Sequence, residues 1–444
     1  MRLIPTTARR LGRVVTIVAA LHATPLPASL QAQTTPITLA DAILRGRSSG
    51  VQASLARLSV LSVEARRAQR GSDYLPNISG NAVALRQTLN LSEFGLSFPG
   101  SEKVTDPFTI YRFRLGAEQL IFSKSVLDKL QAAKDTAIAA GFDANRVGDI
   151  VAAAAGAAWL RLASAEETVR ARSADSATAQ ALLEIASAQV DAGTAPRIDR
   201  TRSEMQVAAG RSRMAIARNE RDRARLDLAR ILDLPVTTPL ITAGDPAIFD
   251  AMPTEIDSAV ALAKARRQDL AAERQRTVVL EQSLRAIKNE FWPTLGLSAT
   301  GGTSGRTFDD LAGTYSVGVG LSWPIFDGAR RSRRADEQRI RIDAQQLRLH
   351  DMEAQVEVET RQAALDLASA RSQILIAEER LRLADQVLVE ARERFVAGVT
   401  GSVETTTAQA EVTTARDGLI QARVAVGAAQ VGAARALGLL DQTH

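Results

Sequence analysis

The sequence runs through one order of motifs twice, and this duplication constrains the fold more than any other feature. Self-similarity of this kind predicts that one structural unit is built twice within the chain. Four pairs of segments carry the match: residues 74–78 (YLPNI) with 291–295 (FWPTL), 120–123 (LIFS) with 324–327 (PIFD), 192–199 with 397–404, and 228–232 with 433–437.

The duplication divides the chain into two structural repeats and a linker. In each repeat, a short helix and a medium helix are predicted before two strands and a long helical hairpin. Residues 235–255 contain four Pro and little periodicity, which is typical of a linker strapped across the outside. The predicted boundaries are 33–234 for the first repeat (strand pair about 77–122, hairpin about 123–234) and 256–444 for the second (strand pair about 294–326, hairpin about 327–440).

The strand segments alternate between two kinds of side chain. Over residues 314–323, apolar residues alternate with Ser and Gly, which is the period of a β-strand. Over residues 111–118, the same alternation puts Arg112, Arg114 and Glu118 opposite the apolar side chains. A strand in an outer membrane needs one face for lipid and one for water. The predicted lipid-facing residues are Tyr111, Phe113, Leu115, Tyr315, Val317, Val319, Leu321 and Trp323.

Four such strands cannot close a barrel by themselves. Their open edges would leave backbone groups unpaired in hydrocarbon, and the smallest membrane barrels need about eight strands. Three copies would give twelve strands with room for an aqueous channel. The predicted fold class is a mixed α+β membrane protein, internally duplicated, in which a trimeric 12-stranded transmembrane β-barrel with four strands per chain continues into a long α-helical coiled-coil tunnel.

The long helices provide that tunnel. Residues 123–193 and 327–398 contain no Pro, and about 70 helical residues span roughly 100 Å. Arg172 and Ser176 interrupt the apolar seam of the first hairpin, so the two hairpins are not expected to be equivalent. In the second hairpin the heptad spacing is unbroken; it comprises Ile374, Ala377, Leu381, Ala384, Leu388, Ala391 and Phe395, answered by Ala408, Val412, Ala415, Leu419, Ala422 and Val426.

The N-terminus predicts export from the cytoplasm. Residues 1–32 contain four Arg, a short apolar run and a small-residue stretch, which together read as a signal peptide. Removing them leaves an almost neutral chain, so the basic composition does not indicate nucleic-acid binding. The chain has no Cys, so neither a disulfide nor a lipid-bearing Cys is expected. His350 stands alone in a charged helical stretch, and a solvated position is favoured over a metal or catalytic role.

These motifs, in this order and duplicated, resemble the TolC-like outer-membrane efflux protein family over roughly residues 36–440. The resemblance implies a homotrimer in the outer membrane of a Gram-negative bacterium, with a twelve-helix periplasmic tunnel. It further implies a passive exit duct for drugs or toxic compounds, opened when a periplasmic adaptor (membrane fusion) protein and an inner-membrane pump of RND, ABC or MFS type dock. No cofactor or metal is implied, because the pump supplies the energy.

The resemblance also assigns roles near the hairpin tips. Asp199 and Glu404 match the carboxylates that ring the entrance in the family, whereas Thr407 stands where a second acid is expected. The alternative interpretation, which needs no pore, is that each acid lies in the first turn of its helix and complements the helix dipole. Arg197, Arg200 and Arg202 are either solvated or available to pair with Glu404 and hold the entrance shut.

The tip turns themselves are the candidate adaptor-docking sites. Gly193 and Gly398 are predicted left-handed C-caps, and this structural role alone would explain them. Thr194 and Ser402 are predicted to cap the helices that follow.

Three alternatives remain at this stage. Type I protein secretion uses the same architecture, and the sequence does not choose between it and drug efflux. A periplasmic coiled-coil scaffold without a pore would not need strands with an apolar face. An enzyme is disfavoured, because no Ser/His/Asp set, Cys nucleophile, phosphate-binding Gly loop or metal-spaced cluster is present.

Overall fold

The computed structural model describes residues 35–95, 103–244 and 252–441. The predicted signal peptide with His22, residues 96–102 of the first strand-pair region, residues 245–251 of the predicted linker, and His444 lie outside these ranges. In chain order the elements are β1 (Thr35–Ile37), α1 (Leu39–Ser49), α2 (Val51–Gly71), β2 (Asn77–Gln87), β3 (Phe108–Phe122), α3 (Lys124–Asp191), α4 (Arg197–Ile231), β4 (Leu240–Thr242), α5 (Ile256–Arg266), α6 (Gln268–Lys288), β5 (Thr294–Gly305), β6 (Ala312–Ser322), α7 (Arg330–Val396) and α8 (Ser402–Leu437).

The long strands form one antiparallel sheet in the order β2-β3-β5-β6. Each repeat contributes one strand pair, and β3 joins the two pairs through β5. The two strand pairs lie within the predicted ranges, with β2 beginning at Asn77 and β3 ending at Phe122 in the first, and β5 beginning at Thr294 and β6 ending at Ser322 in the second. Among the described residues, β2 and β6 have no neighbour on their outer sides, so the sheet has two open edges.

Two helices dominate the molecule. α3 contains 68 residues and α7 contains 67, so each is one continuous helix about 100 Å long. α4 returns along α3, and α8 returns along α7. α3 also packs against α8, which places the helices side by side in the order α4-α3-α8-α7. Nearer the sheet, α2 and α6 take the places of α4 and α8, giving the order α2-α3-α6-α7.

The predicted seam of the second hairpin is asymmetric. On α8, the residues from Ala408 to Ala422 that were predicted for the seam are buried, and Val426 is half-buried. On α7, only Ala391 and Phe395 are buried, and the other five seam residues are half-buried. Phe395 packs instead with Leu182 and Ala186 of α3, so the end of α7 contacts the first hairpin.

The main hydrophobic core lies beside the two three-residue strands, β1 and β4. Part of the predicted linker forms β4, which pairs in parallel with β1, a pairing that the sequence did not predict. Trp159 of α3 is 1% exposed, and its indole Nε1 donates to the backbone oxygen of Ile37 at 2.7 Å. Of the described helices, α3 alone contains an 18-residue stretch apolar enough to span a membrane, and 44% of that stretch is buried.

One carboxyl group next to this core, that of Asp149, has a raised pKa. Burial raises the pKa of Asp149 to about 6, although Arg47, whose Nε lies 3.1 Å from its Oδ1, opposes the rise. Asp441 and Asp269 add to the increase in pKa through their negative charge. The folded protein therefore binds a proton here more readily than the unfolded chain does.

We expect Asp149→Asn to stabilise the protein at pH 7.5. Because the folded pKa lies above the unfolded one, stability falls as pH rises from about 4 to about 6, and the loss is complete above that window. The shift corresponds to about 3 kcal/mol at most, which solvent screening reduces to about 1–2 kcal/mol. Thermal melting of the detergent-solubilised protein at pH 4.5 and 7.5 measures the effect. A variant that melts below the wild type at pH 7.5 contradicts this prediction.

Candidate functional site

The register of the sheet separates its side chains onto two chemically different faces. One row across the sheet joins Ile78, Ala117, Ala299 and Val317, and the adjacent row joins Ser79, Gly116, Thr300 and Ser316. The rows continue to alternate in this way along the strands. We call the two sides the apolar face and the polar face of the sheet, named for the residues in these rows.

The predicted lipid-facing residues of β3 and β6 all fall on the apolar face. Four of them are largely exposed in the protomer, at 88% for Tyr315, 69% for Val317, 70% for Val319 and 68% for Leu321. Trp323 follows directly after β6 and is 63% exposed. Their contact with lipid stays a prediction, but the geometry gives them one common surface.

The polar face carries the charged residues of β3. Arg112, Arg114 and Glu118 lie on it, together with Ser, Thr, Asn and Gly residues of the other strands. The pattern breaks at the end of the sheet near residues 83–87, where Val83, Leu85, Phe108 and Ile110 lie on the polar face and Arg86 lies on the apolar face. A sheet of this kind has one face suited to an apolar phase and one face suited to water.

Aromatic residues gather where the sheet meets the helices. Trp292 and Trp323 are about half to two-thirds exposed here, and the Trp323 Nε1 donates to the backbone oxygen of Phe291 at 3.1 Å. Lys124 Nζ lies 4.6 Å from the ring of Trp292. Amphipathic aromatic side chains of this kind are enriched at membrane–water interfaces.

At the far end of the hairpins, both tip turns have the predicted backbone. Gly193 and Gly398 each have φ of +71°. Each turn closes with two backbone bonds, from Gly193 to Val190 and Thr194 to Gln189 in the first, and from Gly398 to Phe395 and Val399 to Arg394 in the second. This is the Schellman pattern, in which a residue other than Gly is disfavoured. The predicted C-caps are therefore present.

The predicted N-caps at Thr194 and Ser402 are wrong. The N-cap of α4 is Pro196, and the Thr194 hydroxyl donates to the Gln189 oxygen at the end of α3 instead. Ser402 is the first residue of α8, whose N-cap is Gly401. The two deviations have opposite sense: α4 begins two residues later than an N-cap at Thr194 would place it, and α8 begins one residue earlier than an N-cap at Ser402 would place it.

Asp199 has a role that its position along the chain does not reveal. It is only 4% exposed. Its Oδ1 accepts from the backbone nitrogen of Ser402 at 3.3 Å and from the Ser402 hydroxyl, so it caps α8 from the other hairpin. A carboxylate at a helix N-terminus is stabilised by the helix dipole. Within the protomer this acid is occupied in joining the two tips.

The other charges at the tips pair differently from the prediction. Glu404 lies 3.4 Å from Arg394 and is 39% exposed on its side chain. Arg200 pairs with Asp191, and Arg202 lies 3.8 Å from Asp199. Arg197 is exposed and forms no ion pair within the described part of the chain. None of the three predicted arginines therefore reaches Glu404 inside one protomer.

Sequence reasoning missed a polar cluster between the hairpins. Asp175 of α3 is buried and accepts from Arg416 (2.6 Å), Thr413 (3.2 Å) and Arg172 (3.2 Å). Arg172 also binds both carboxylate oxygens of Asp417, at 2.7 and 2.6 Å. Arg172, which interrupts the apolar seam, thus links α3 to α8. The signal in the sequence was this interruption, but the α8 residues of the cluster lie more than 200 residues away.

The described residues contain no group of three or more His, Asp or Glu that could hold a metal ion, and His350 is exposed on α7. The chemistry of the molecule lies in two surfaces: a sheet with one apolar and one polar face, and a pair of long hairpins with linked tips. These two surfaces, each contributed by both repeats, define a class of internally duplicated proteins with an amphipathic sheet and long helical hairpins.

Comparison with known proteins agrees with this class. The profile of the outer membrane efflux protein family matches residues 259–439, from α5 to the end of α8. The pyoverdine export outer membrane protein OpmQ of Pseudomonas putida is 25% identical over 302 residues. This alignment covers 65% of the present chain and 61% of OpmQ, so it spans less than two thirds of that relative.

Solved channel structures share the fold over nearly the whole chain. The outer-membrane channel OprN has a TM-score of 0.74 at 20% identity, with 90% of this chain and 89% of OprN covered. CmeC of Campylobacter jejuni has a TM-score of 0.76 at 16% identity, covering 90% and 85%. MtrE of Neisseria gonorrhoeae has a TM-score of 0.71 at 18% identity, covering 90% and 89%. The chain is therefore similar to outer membrane efflux proteins in sequence over residues 259–439, and it shares the fold of solved outer-membrane channels over nearly its whole length.

Proposed function

We propose that three copies of the chain close a twelve-stranded barrel and form the passive outer-membrane exit duct of a tripartite efflux system. The observation that carries the proposal is the four-stranded sheet, which has one apolar face and two open edges. Unpaired backbone groups are costly in hydrocarbon, so β2 of one copy is expected to pair with β6 of the next. This pairing of β2 with β6 between copies is expected to be antiparallel, like every pairing within the four-stranded sheet.

The outer helices support the same assembly. One side of α7 carries six exposed apolar residues at spacings of 7 and 11, which keeps them on one straight line along a helix. Val356 and Leu367, on the opposite side of α7, are buried. The exposed stripe comprises Ile340, Leu347, Val358, Leu365, Ile376 and Leu383.

The opposite edge of the protomer offers a matching surface. α4 exposes Ile198, Met205 and Ile216 at the same spacings of 7 and 11, by 52%, 67% and 56% respectively. Closer to the sheet, that edge consists of α2, which exposes Leu55 and Leu58. Exposed apolar stripes of this extent are rare on monomeric soluble proteins and mark association surfaces. In a closed ring, α7 of one copy meets α2 and α4 of the next.

The tips are proposed as the entrance and the place where an adaptor docks. Gly193 and Gly398 present two similar turns side by side, and an adaptor that binds there can act on both hairpins at once. Glu404 is the better candidate for an aperture carboxylate, because Asp199 is buried against Ser402. Pairing of Glu404 with Arg197, Arg200 or Arg202 of a neighbouring copy remains a proposal. The pump is expected in the inner membrane.

A small solute is the favoured cargo. The name of OpmQ, a pyoverdine export protein, supports solute export by a relative rather than a scaffold role. The sheet argues only against the scaffold alternative, since a coiled-coil scaffold does not need an exposed apolar face.

The test is purification from outer membranes followed by electrophoresis with and without heating, and reconstitution into planar bilayers. We expect a heat-modifiable trimer and stepwise single-channel conductance. A particle that stays monomeric, or trimers that conduct no ions even after the tips are loosened by Glu404→Ala, would contradict a duct.

A further inference from the structure

Two adjacent arginines dominate the charge on the polar face of the sheet. Arg114 shares its row with Asn81, Gly302 and Thr314, and none of these is charged. The row of Arg112 contains Val83, Ser304 and Ala312.

Both guanidinium groups are free to act on a solute. Arg112 and Arg114 are exposed, and neither forms an ion pair with another described residue. Gly302 lies directly opposite Arg114, and a Cβ there would come within 2.2 Å of the backbone oxygen of Phe113. The sheet therefore brings bare backbone, rather than a competing side chain, next to this arginine.

Negative charge on the same face is scarce. Glu118 is the one carboxylate in the four described long strands. It is four residues from Arg114, about 13 Å along an extended strand. Since the Debye length is about 8 Å at physiological ionic strength, Glu118 screens the arginines only weakly.

The tips do not supply a compensating ring of free acids. Asp199 is buried against α8, Glu404 is paired with Arg394, and Thr407 occupies the position of the second family acid. Within each protomer, the carboxylates that could concentrate cations at the entrance are absent or occupied. Glu404, the proposed aperture carboxylate, thus carries a paired charge, whereas, among the described residues, Arg112 and Arg114 of the sheet carry unpaired ones.

We infer that Arg112 and Arg114 form a positive girdle that makes the duct anion-selective, and that its cargo is anionic at neutral pH. This inference rests on the proposed trimeric duct, in which the polar face lines the lumen and the pair becomes two rings of three arginines. Guanidinium groups bind carboxylates and phosphates through paired, charge-assisted hydrogen bonds. The expected solutes are therefore small molecules that carry carboxylate, phosphate or sulfonate groups.

The experiment measures the Cl⁻/K⁺ permeability ratio from the reversal potential of single trimers in a KCl gradient around 0.1 M. We expect a ratio above one for the wild type, and a ratio lower by a factor of about 3–10 in the Arg112→Gln/Arg114→Gln double variant, because charged clefts change local ion concentrations on this scale or more. Arg112→Lys/Arg114→Lys should keep the wild-type ratio. Glu118→Gln should raise it.

The matched control is Arg86→Gln. Arg86 is an exposed arginine of the neighbouring strand β2 but belongs to the row of Thr109, on the opposite side of the sheet from Arg112. Its replacement should leave the ratio unchanged. A cation-selective wild type, or a double variant that assembles and keeps the wild-type ratio, overturns the inference while leaving the duct intact. Trimers that conduct nothing overturn the proposed function instead.

Discussion

Val317→Arg is expected to abolish assembly of the proposed trimer in the outer membrane. Val317 lies at the middle of β6, is 69% exposed, and shares its row with Ala299, Ala117 and Ile78. An Arg at the bilayer midplane of a barrel costs about 2–4 kcal/mol. Three copies carry the substitution in one barrel, so the total cost is comparable to the stability of an ordinary protein. The measurement is the fraction of heat-modifiable trimer in purified outer membranes.

The control for this variant is the preceding residue. Ser316 shares its row with Thr300, Gly116 and Ser79, and its hydroxyl lies 2.8 Å from that of Thr300. Ser316→Arg loses one exposed hydrogen bond but places its charge on the polar face, so trimers should still form. Failure of Ser316→Arg together with normal assembly of Val317→Arg would mean that the faces are reversed. Normal assembly of both would mean that this sheet does not meet lipid.

The two faces of the sheet could be predicted from the sequence because strand geometry is local. Side chains alternate with a period of two, so Tyr315, Val317 and Val319 must share a side whatever the rest of the chain does. The length of α3 and α7 could be predicted for a similar reason, since neither segment contains Pro. The tip glycines followed from the steric cost of a left-handed residue with a Cβ.

The contacts at the tips could not be predicted from the sequence, because they join residues that are far apart in the chain. Asp199 and Ser402 belong to different repeats, and only the packing of α3 against α8 brings their helices together. Read locally, Asp199 is an acid in the first turn of its own helix and Ser402 is a cap. In the structure, Asp199 instead caps α8 of the other hairpin, a contact that neither local sequence pattern predicts.

The pairing of β1 with β4 was missed for a different physical reason. Both strands are three residues long, too short for a period to be recognised. Their position is determined by neighbours: Trp159 binds the backbone of Ile37, and Glu166 accepts from the Thr242 hydroxyl at 2.5 Å. Pro and low periodicity identified this part of the chain as a linker but said nothing about what it would pair with.

The second large effect is expected at the cluster that joins the hairpins, where Asp175→Ala should loosen α3 from α8. The Asp175 side chain is 8% exposed, and both of its oxygens accept hydrogen bonds from α8. Removing one partner of a buried ion pair costs about 3–5 kcal/mol because the other charges stay buried. Here the loss is expected at about 2–4 kcal/mol, because Arg172 keeps Asp417 and Arg416 lies 3.8 Å from Asp385.

Hydrogen exchange of the assembled trimer measures this loss where it occurs. Amides of α3 and α8 around the cluster should exchange at least about 30-fold faster in Asp175→Ala, since each 1.4 kcal/mol of local opening energy is a factor of ten. Asp175→Asn keeps the shape and one acceptor oxygen, so it should lie between the wild type and Asp175→Ala. Glu184→Ala removes an exposed acid from the same helix and should change protection by less than about 0.5 kcal/mol. Equal exchange in Asp175→Ala and Glu184→Ala would show that the cluster does not hold the hairpins together, and the coupling of the two tips would then rest on Asp199 and Ser402 alone.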